Sequence, residues 1–346
     1  MFDFHKILGY FYDDLAIDLG TANIVIIRDD KVIVEEPSII SFDDNGKILA
    51  VGNEALLMNG KTHKNINVIK PLKDGVIADF KSAGQMIDAF IKGARNDHFL
   101  PFKSFLNNVV IGVPSGITDV ERRAVKDFAD SLGASNTYTI YEPIASIIGA
   151  GIDVFDCNAS MIVDIGGGTT EIAIVILGGM VCYKSVKVAG NQFTHDIIDY
   201  LQRNYGVLVG ENTAESIKKN TNVVDCDQLE EMEGISICGR DTLSGIPKEV
   251  CISYDDVASA INDSICLIET AILDTLKVAP PEVSSDLNKN GIILSGGGSL
   301  LRNLDKRIEE KTKLKVRISD DPLRGVARGI GKVIKNMNLY KGILMR

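Results

Sequence analysis

The stretch Asp18-Leu19-Gly20-Thr21-Ala22-Asn23 is followed later in the chain by a related one, Asp164-Ile165-Gly166-Gly167-Gly168-Thr169-Thr170. In each, an aspartate ends an apolar run, a turn of glycine and threonine follows, and a second apolar run begins. This pattern predicts two β-hairpins with small residues and a carboxylate at their tips. Glycine lets backbone N–H groups approach a phosphate closely, and threonine or asparagine adds side-chain donors. We therefore expect two related halves that close on one nucleotide.

The order of elements around these glycines excludes two other phosphate-binding motifs. A dinucleotide fingerprint needs a helix directly after its glycines, whereas a second strand follows each turn here. The sequence also lacks a Gly-x-x-x-x-Gly-Lys-Ser/Thr loop. Only the third turn, Gly296-Gly297-Gly298, precedes a helix, and close backbone approach there suits a contact to a base or ribose. Asp18 and Asp164, next to the phosphates, suit a divalent cation held through water.

Composition narrows the class of protein. The 346 residues carry 37 basic and 47 acidic side chains, a net charge of −10, which argues against bulk binding to nucleic acid. No apolar run reaches the roughly 18 residues of a membrane-spanning helix, and the N-terminus lacks the pattern of a secretory signal. The six cysteines and four histidines form no cluster with metal-ligand spacing. We expect a cytosolic protein with reduced thiols.

Strands and helices alternate along the chain, which predicts α/β layers with a mixed sheet. A helix is predicted over Asp119–Ser131 with Asp119 as its N-cap, and a long amphipathic helix over Tyr254–Leu276. The polar region Asp225–Val250 has no pattern that assigns it to either type of element.

Several longer stretches carry a resemblance to a known family. They are Val109–Pro114, Ile117–Ala124, Lys73–Phe80, Glu142-Pro143 and the run from Gly296 to Asp305. Together with the hairpins they resemble the MreB family of bacterial actins, within the actin, Hsp70 and sugar-kinase superfamily. The resemblance extends from about Leu15 to Gly331.

The resemblance implies an actin-like α/β fold of two lobes, each with a mixed sheet, flanking helices and a smaller subdomain. Lobe I would comprise residues 1–148 and 325–346, with its smaller subdomain at about 34–69. Lobe II would comprise residues 149–324, with its smaller subdomain at about 189–252. ATP and Mg²⁺ would lie in the cleft between the lobes.

Site residues follow from the same resemblance. The implied nucleotide contacts are Asp18, Gly20, Thr21, Ala22, Asn23, Gly166, Gly167, Gly168, Thr169, Glu215, Lys218, Gly296, Gly297 and Gly298. Glu142 and Thr169 match the positions that orient the attacking water, and Asp164 matches the aspartate associated with the metal. Glu215 and Lys218, one helical turn apart, match residues that contact the adenosine. Two alternatives stay open: Glu142 as a helix-capping carboxylate, and Glu215 with Lys218 as a surface ion pair.

Two apolar segments predict contact with a membrane. Phe4, Ile7, Leu8 and Phe11 would share one face of a helix, next to Phe2, and such a face can lie in a bilayer interface. Phe99, Leu100 and Phe102 lie in the loop where the family presents residues to the bilayer. The alternative is that the N-terminal face packs on its own domain.

The resemblance further implies head-to-tail protofilaments that pair antiparallel, a location at the inner face of the cell membrane, and transmembrane cell-wall elongation proteins as partners. The implied function is a slow ATPase that forms filaments and directs cell shape and wall elongation. Asn191 replaces an aspartate common in the family, which bears on hydrolysis rate. The alternative is a small-molecule kinase of the same superfamily, for which an aspartate base facing a substrate pocket would be needed.

Overall fold

Two five-stranded mixed sheets form the centre of the computed structural model, which describes residues 12–97, 105–221 and 234–346. The first half contains β1 (Tyr12–Leu19), β2 (Asn23–Arg28), β3 (Lys31–Pro37), β4 (Ile40–Asp43), β5 (Ile48–Val51), α1 (Gly52–Met58), β6 (Ile66–Ile69), β7 (Leu72–Lys73), β8 (Val76–Ile77), α2 (Phe80–Asp97), β9 (Phe105–Val113), α3 (Asp119–Ser131), β10 (Ala134–Tyr141) and α4 (Glu142–Gly149).

The second half contains β11 (Ser160–Ile165), β12 (Thr170–Ile176), β13 (Gly179–Val186), α5 (Gly190–Tyr205), β14 (Val207–Leu208), α6 (Glu211–Thr221), β15 (Ile235–Asp241), β16 (Pro247–Ile252), α7 (Tyr254–Lys277), α8 (Pro281–Asn290), β17 (Ile292–Ser295), α9 (Leu304–Thr312), β18 (Val316–Ile318), α10 (Gly325–Lys335) and α11 (Met337–Tyr340). Short 3₁₀ turns cover Gly297–Leu300, Pro322–Arg324 and Lys341–Ile343.

The two large sheets follow the same plan. The first has the order β3-β2-β1-β9-β10 and the second the order β13-β12-β11-β17-β18. In each, three consecutive antiparallel strands continue into two parallel ones. The duplication predicted from the hairpins is therefore a duplication of whole sheets.

The strand alternation divides the core into three layers. Ile24 and Ile26 of β2 pack against the outer helices of the first sheet, and Val25 and Ile27 pack on its other face. That other face shares one core with the second sheet, and α4 and α10 supply the helical side chains between them. The outer face of the second sheet is covered by α5, α7, α8 and α9. Helices α4 and α10 are thus sandwiched between the two sheets.

The same alternation determines which way the hairpin aspartates face. Side chains two residues apart on a strand share a face. Asp18 lies two residues after Ala16, and Asp164 lies two residues after Ile162. Both Ala16 and Ile162 belong to the central core. Both aspartates therefore lie one residue before the ends of their strands, on the faces that the two sheets turn toward each other.

Several sequence predictions are confirmed and one is wrong. The actin-like α/β architecture and the helices at 119–131 and 254–276 are confirmed. Asp119 is not the N-cap of α3, because Thr118 occupies that position and forms a capping box with Glu121. The region that had no clear pattern contains β15 and β16, a hairpin in a three-stranded sheet with β14.

Other predictions stay predictions. The three-stranded sheets β5-β4-β6 and β14-β15-β16 fall within the ranges expected for the smaller subdomains, whereas the division into lobes is untested. No helix in residues 12–97, 105–221 or 234–346 is long and apolar enough to cross a membrane. The membrane-contact residues Phe2, Phe4, Ile7, Leu8, Phe11, Phe99, Leu100 and Phe102 lie outside the described residues.

Candidate functional site

A cavity of about 1130 Å³ opens where the tips of both hairpins meet. Every residue expected to contact the nucleotide or the metal from within the described part of the chain lines it: Asp18, Gly20, Thr21, Ala22, Asn23, Glu142, Asp164, Gly166, Gly167, Gly168, Thr169, Glu215, Lys218, Gly296, Gly297 and Gly298. The cavity is large enough for a nucleotide, since ligand pockets commonly measure about 300–1,000 Å³.

The tip of the first hairpin is held by hydrogen bonds from Ser38, a residue outside the hairpin. Leu19 and Ile24 are the last paired residues, and Gly20, Thr21 and Ala22 form the tip. The Ser38 hydroxyl donates to the Gly20 carbonyl (2.6 Å), and the Ser38 N–H donates to the Ala22 carbonyl (2.9 Å). With both carbonyls bound on this side, the tip is held in one conformation.

The second hairpin approaches the first so closely that its glycines have no room for side chains. A Cβ atom on Gly167 would lie 2.6 Å from the Cβ of Ala22, and one on Gly168 would lie 2.6 Å from Oγ1 of Thr21. Thr21 also accepts a hydrogen bond from the N–H of Gly75 (2.9 Å). The two tips and the Asp74-Gly75 turn therefore form one packed unit on the wall of the cavity.

The third glycine turn packs against the base of the second hairpin. Gly296 has a φ of +77°, and a Cβ there would lie 2.3 Å from the carbonyl oxygen of Ile165. Leu300 and Leu323, which sequence reasoning missed, present partly exposed apolar side chains to the cavity near this turn. Apolar surface beside close-packed glycines suits a flat heterocycle, which the spacing of leucines alone could not have indicated.

Three carboxylates in the cavity wall have raised pKa values. Burial raises the pKa of Asp18 to about 7, and the charge of Asp164 acts in the same direction. Burial raises the pKa of Asp164 to about 6, and Glu171 adds to the effect, whereas the hydroxyls of Ser146 and Ser295 oppose it. Burial, followed by the charges of Glu171, Asp18 and Asp164, raises the pKa of Glu142. The arrangement concentrates carboxyl groups where an apolar core begins.

Glu171 is a fourth carboxylate beside these three, and sequence reasoning missed it. It is paired directly with Asp164 across the second hairpin, and only 1% of it is exposed. It accepts hydrogen bonds from the N–H (2.9 Å) and hydroxyl of Ser115 and from the hydroxyl of Ser185 (2.5 Å). Ser115 follows β9 of the first sheet, so this carboxylate connects the two sheets. Glu171 lies two residues before Ala173, which faces the central core, and this spacing was the sequence signal that could have indicated its burial.

The carboxylates fit a hydrated divalent cation. The Oδ2 atom of Asp164 is buried and has no hydrogen-bond partner among the described residues, and the Ser146 and Ser295 hydroxyls lie beside this carboxylate without completing one. No group of three or more metal-ligating side chains occurs in the described ranges. A cation held by one or two carboxylates, waters and phosphates is the arrangement that Mg²⁺ prefers.

Glu142 begins helix α4 at the end of this cluster. Tyr141 occupies the N-cap position, and no side chain caps the helix. The structure therefore contains no hydrogen bond that would support Glu142 as a helix-capping carboxylate. Thr169, in the tip of the second hairpin just before β12, also lines the cavity and is 8% exposed.

Glu215 and Lys218 lie on α6 and form an ion pair of 2.6 Å, in which Lys218 is only 11% exposed. Burial lowers the pKa of Lys218 and Glu215 opposes this, while the pKa of Glu215 is itself lowered by Lys218 against the effect of burial. This burial distinguishes the pair from an exposed surface ion pair.

Contacts across the rim of the cavity join α6 to α1 and the nearby loops. Lys70 pairs with Glu211 (2.5 Å), and the Asn212 amide donates to the carbonyl of Leu56 (3.3 Å). These contacts link residues far apart in sequence, and no local pattern could have indicated them.

Comparisons with known proteins identify similar chains. A family model described as "MreB/Mbl protein" matches residues 12–342. The chain is 40% identical over 345 residues to the "Cell shape-determining protein MreB" of Escherichia coli (strain K12), covering 98% of both chains. It is 40% identical over 332 residues to the "Cell shape-determining protein Mbl" of Bacillus subtilis (strain 168), covering 95% of this chain and 97% of that one. The crystal structure of MreB5 of Spiroplasma citri bound to AMPPNP is similar with a TM-score of 0.89 and 33% identity, covering 96% of this chain and 99% of that one.

The raised pKa values predict a pH-dependent stability. A carboxylate whose pKa is raised by folding stabilises the fold below its unfolded value, and this stability is lost as pH rises through the folded value. For Asp18 the loss falls between about pH 4 and pH 7. We expect Asp18→Asn to stabilise the protein without nucleotide or divalent cation at pH 8, by at most roughly 4 kcal/mol, and much less at pH 5.

Denaturant unfolding at both pH values, with chelator present, measures this difference. Asp320→Asn, at an exposed position outside the cavity, is the matched control. It should change the free energy of unfolding by the same amount at pH 5 and at pH 8. A stabilisation by Asp18→Asn that is absent at pH 8, or larger at pH 5, would contradict the electrostatic account.

Proposed function

We propose that this chain, which belongs to the MreB/Mbl family, binds and hydrolyses ATP and forms cytoskeletal filaments that determine cell shape. The observation that carries the proposal is the meeting of two related hairpins in one cavity, with buried carboxylates between them. Family membership supports the cytoskeletal role, and the nucleotide named in the similar MreB5 structure supports ATP as the ligand. A small-molecule kinase is not favoured, because the relatives are named for cell shape.

The hairpin backbones would hold the phosphates. The glycine N–H groups and the Thr21 and Asn23 side chains offer donors, and the nucleoside would lie toward α6 and the third glycine turn. Asp18 and Asp164 would hold Mg²⁺ through water, and the bound ion would neutralise phosphate charge. Phosphoryl transfer depends mainly on positioning and electrostatic stabilisation, so a rigid pair of hairpins is the part of the site that matters most.

Glu142 and Thr169 would orient the attacking water. A general base works best when its pKa lies near the working pH, and burial with neighbouring carboxylates raises the pKa of Glu142 in that direction. Glu142 would accept a hydrogen bond from the water and take its proton, while the Thr169 hydroxyl fixes the position of the water. Asn191, at the start of α5, carries no charge and leaves Glu142 as the proposed base.

The proposal extends to assembly and location. The protein would polymerise head to tail, with paired antiparallel protofilaments, at the inner face of the cell membrane. A heterologous interface that does not close produces filaments rather than rings. Transmembrane cell-wall elongation proteins would be partners, and nucleic acid would not.

Glu142→Gln tests the ATPase and the filament together. We expect the wild-type protein to pellet in high-speed sedimentation with Mg-ATP, to form filaments by electron microscopy and to release phosphate slowly. The variant should still bind ATP and pellet, but release phosphate on the order of 100-fold more slowly, because general base catalysis is lost.

Glu282→Gln, in the first turn of α8, is the matched control and should hydrolyse ATP at the wild-type rate. A wild-type protein that binds ATP but transfers its phosphate to an added sugar, with no pelleting, would favour the kinase instead.

Membrane contact is tested by removing both apolar segments. Deleting residues 1–12 and replacing Phe99, Leu100 and Phe102 with serine should abolish co-sedimentation with anionic liposomes, because apolar burial would supply most of the binding. Leu267→Ser, at a position 57% exposed on α7, controls for general loss of apolar surface and should bind as wild type. Undiminished liposome binding by the combined variant would exclude these segments as the contact.

A further inference from the structure

The ammonium group of Lys218 is directed toward helix α5. Its Nζ atom lies 2.6 Å from Oε2 of Glu215, and it donates to the carbonyl of Gly190 (2.7 Å) and to Oγ1 of Thr194 (3.0 Å). An ammonium has three N–H donors, and two of these three acceptors belong to the first turn of α5. Lys218 therefore uses its charge to join α6 to the first turn of α5.

Gly190, which accepts from Lys218, also contacts the second hairpin. Its N–H donates to the carbonyl of Gly166 (3.1 Å), and the N–H of Asn191 donates to the carbonyl of Gly167 (2.8 Å). A Cβ on Gly190 would lie 3.2 Å from that Gly166 oxygen and 3.5 Å from Nζ of Lys218. The junction between α6, α5 and the hairpin is therefore tightly packed.

The planar peptide group carries this constraint to the other side of the hairpin. The carbonyl of one residue and the N–H of the next belong to one rigid trans unit and point in opposite directions. When α5 binds the carbonyls of Gly166 and Gly167, the N–H groups of Gly167 and Gly168 point away from α5. These two residues line the cavity where the phosphates would lie.

Thr194 and Glu215 complete the network. The Thr194 hydroxyl lies 2.7 Å from Oε2 of Glu215 and 3.1 Å from the Gly190 carbonyl. Lys218 and Thr194 thus both lie against the carbonyl of Gly190, the residue that binds Gly166, and Glu215 holds both of them. Burial of this network makes its hydrogen bonds costly to leave incomplete.

We propose that Lys218 is a positioning residue for the phosphates of the nucleotide, acting through Gly190 on the second hairpin rather than by contact with the nucleoside. This inference rests on the proposed function, since it concerns the same nucleotide site. Loss of the ammonium would remove one donor from the Gly190 carbonyl, loosen the first turn of α5 and misdirect the Gly167 and Gly168 N–H groups.

Lys218→Met and Thr194→Val test the network while keeping the apolar bulk of each side chain. Equilibrium affinities are measured for Mg-ATP and for adenosine, which lacks the phosphates. We expect each variant to bind Mg-ATP about tenfold more weakly and adenosine within about twofold of wild type. The double variant should lose no more than Lys218→Met alone, because both substitutions break one network.

Lys277→Met is the matched control, since Lys277 also pairs with an acid three residues earlier on a helix, Asp274 (3.2 Å), but on α7 and outside the cavity. It should leave both affinities unchanged, and thermal unfolding should show all variants folded. Equal losses for adenosine and Mg-ATP, or additive losses in the double variant, would overturn the positioning role while leaving the proposed function intact. A wild-type protein that fails to bind Mg-ATP would overturn both.

Discussion

The withdrawal of four carboxylates from water at one end of the central layer is the constraint on which the site depends. Asp18, Glu142, Asp164 and Glu171 converge at one end of the central layer, where burial and like charge raise the pKa values of the first three. The carboxylate of Glu171 accepts hydrogen bonds from Ser115 and Ser185, which replace its lost contact with water. The others face a cavity that a cation and its phosphate ligands would complete. The cluster costs stability in the empty protein, which is typical of groups retained for binding or catalysis.

The duplicated sheet plan explains why the carboxylates meet. Each sheet carries an aspartate near the end of its middle strand, on its central face, and the sandwiched helices α4 and α10 pack between those faces. Glycines at both tips allow the hairpins to touch, so that one phosphate chain could be reached from both sides. The actin-like fold therefore positions the site through strand alternation along each sheet and close backbone approach at the hairpin tips.

The sequence predicted the parts of the site that depend on local chemistry. An aspartate, small residues and flanking apolar runs indicate a phosphate hairpin without any tertiary information, and the longer motifs indicated the family. Glu171 and the Lys70–Glu211 contact were missed, because their partners are brought close only by packing between distant segments. The direction of the Lys218 side chain was missed for the same reason. Thr118 rather than Asp119 caps α3 because its hydroxyl can exchange hydrogen bonds with Glu121, a choice between adjacent residues that composition does not decide.

Calorimetric titration of the nucleotide-free protein with ATP at pH 8, with Mg²⁺ or with chelator, tests the central claim most directly. At this pH Asp18 and Asp164, whose pKa values are about 7 and about 6, are largely ionised, so phosphates should be repelled unless a divalent cation accompanies them. The account predicts one ATP per chain with Mg²⁺ and affinity lower by at least about tenfold without it. Equal affinity in chelator, or a stoichiometry other than one, would contradict a single site closed by two hairpins around a cation.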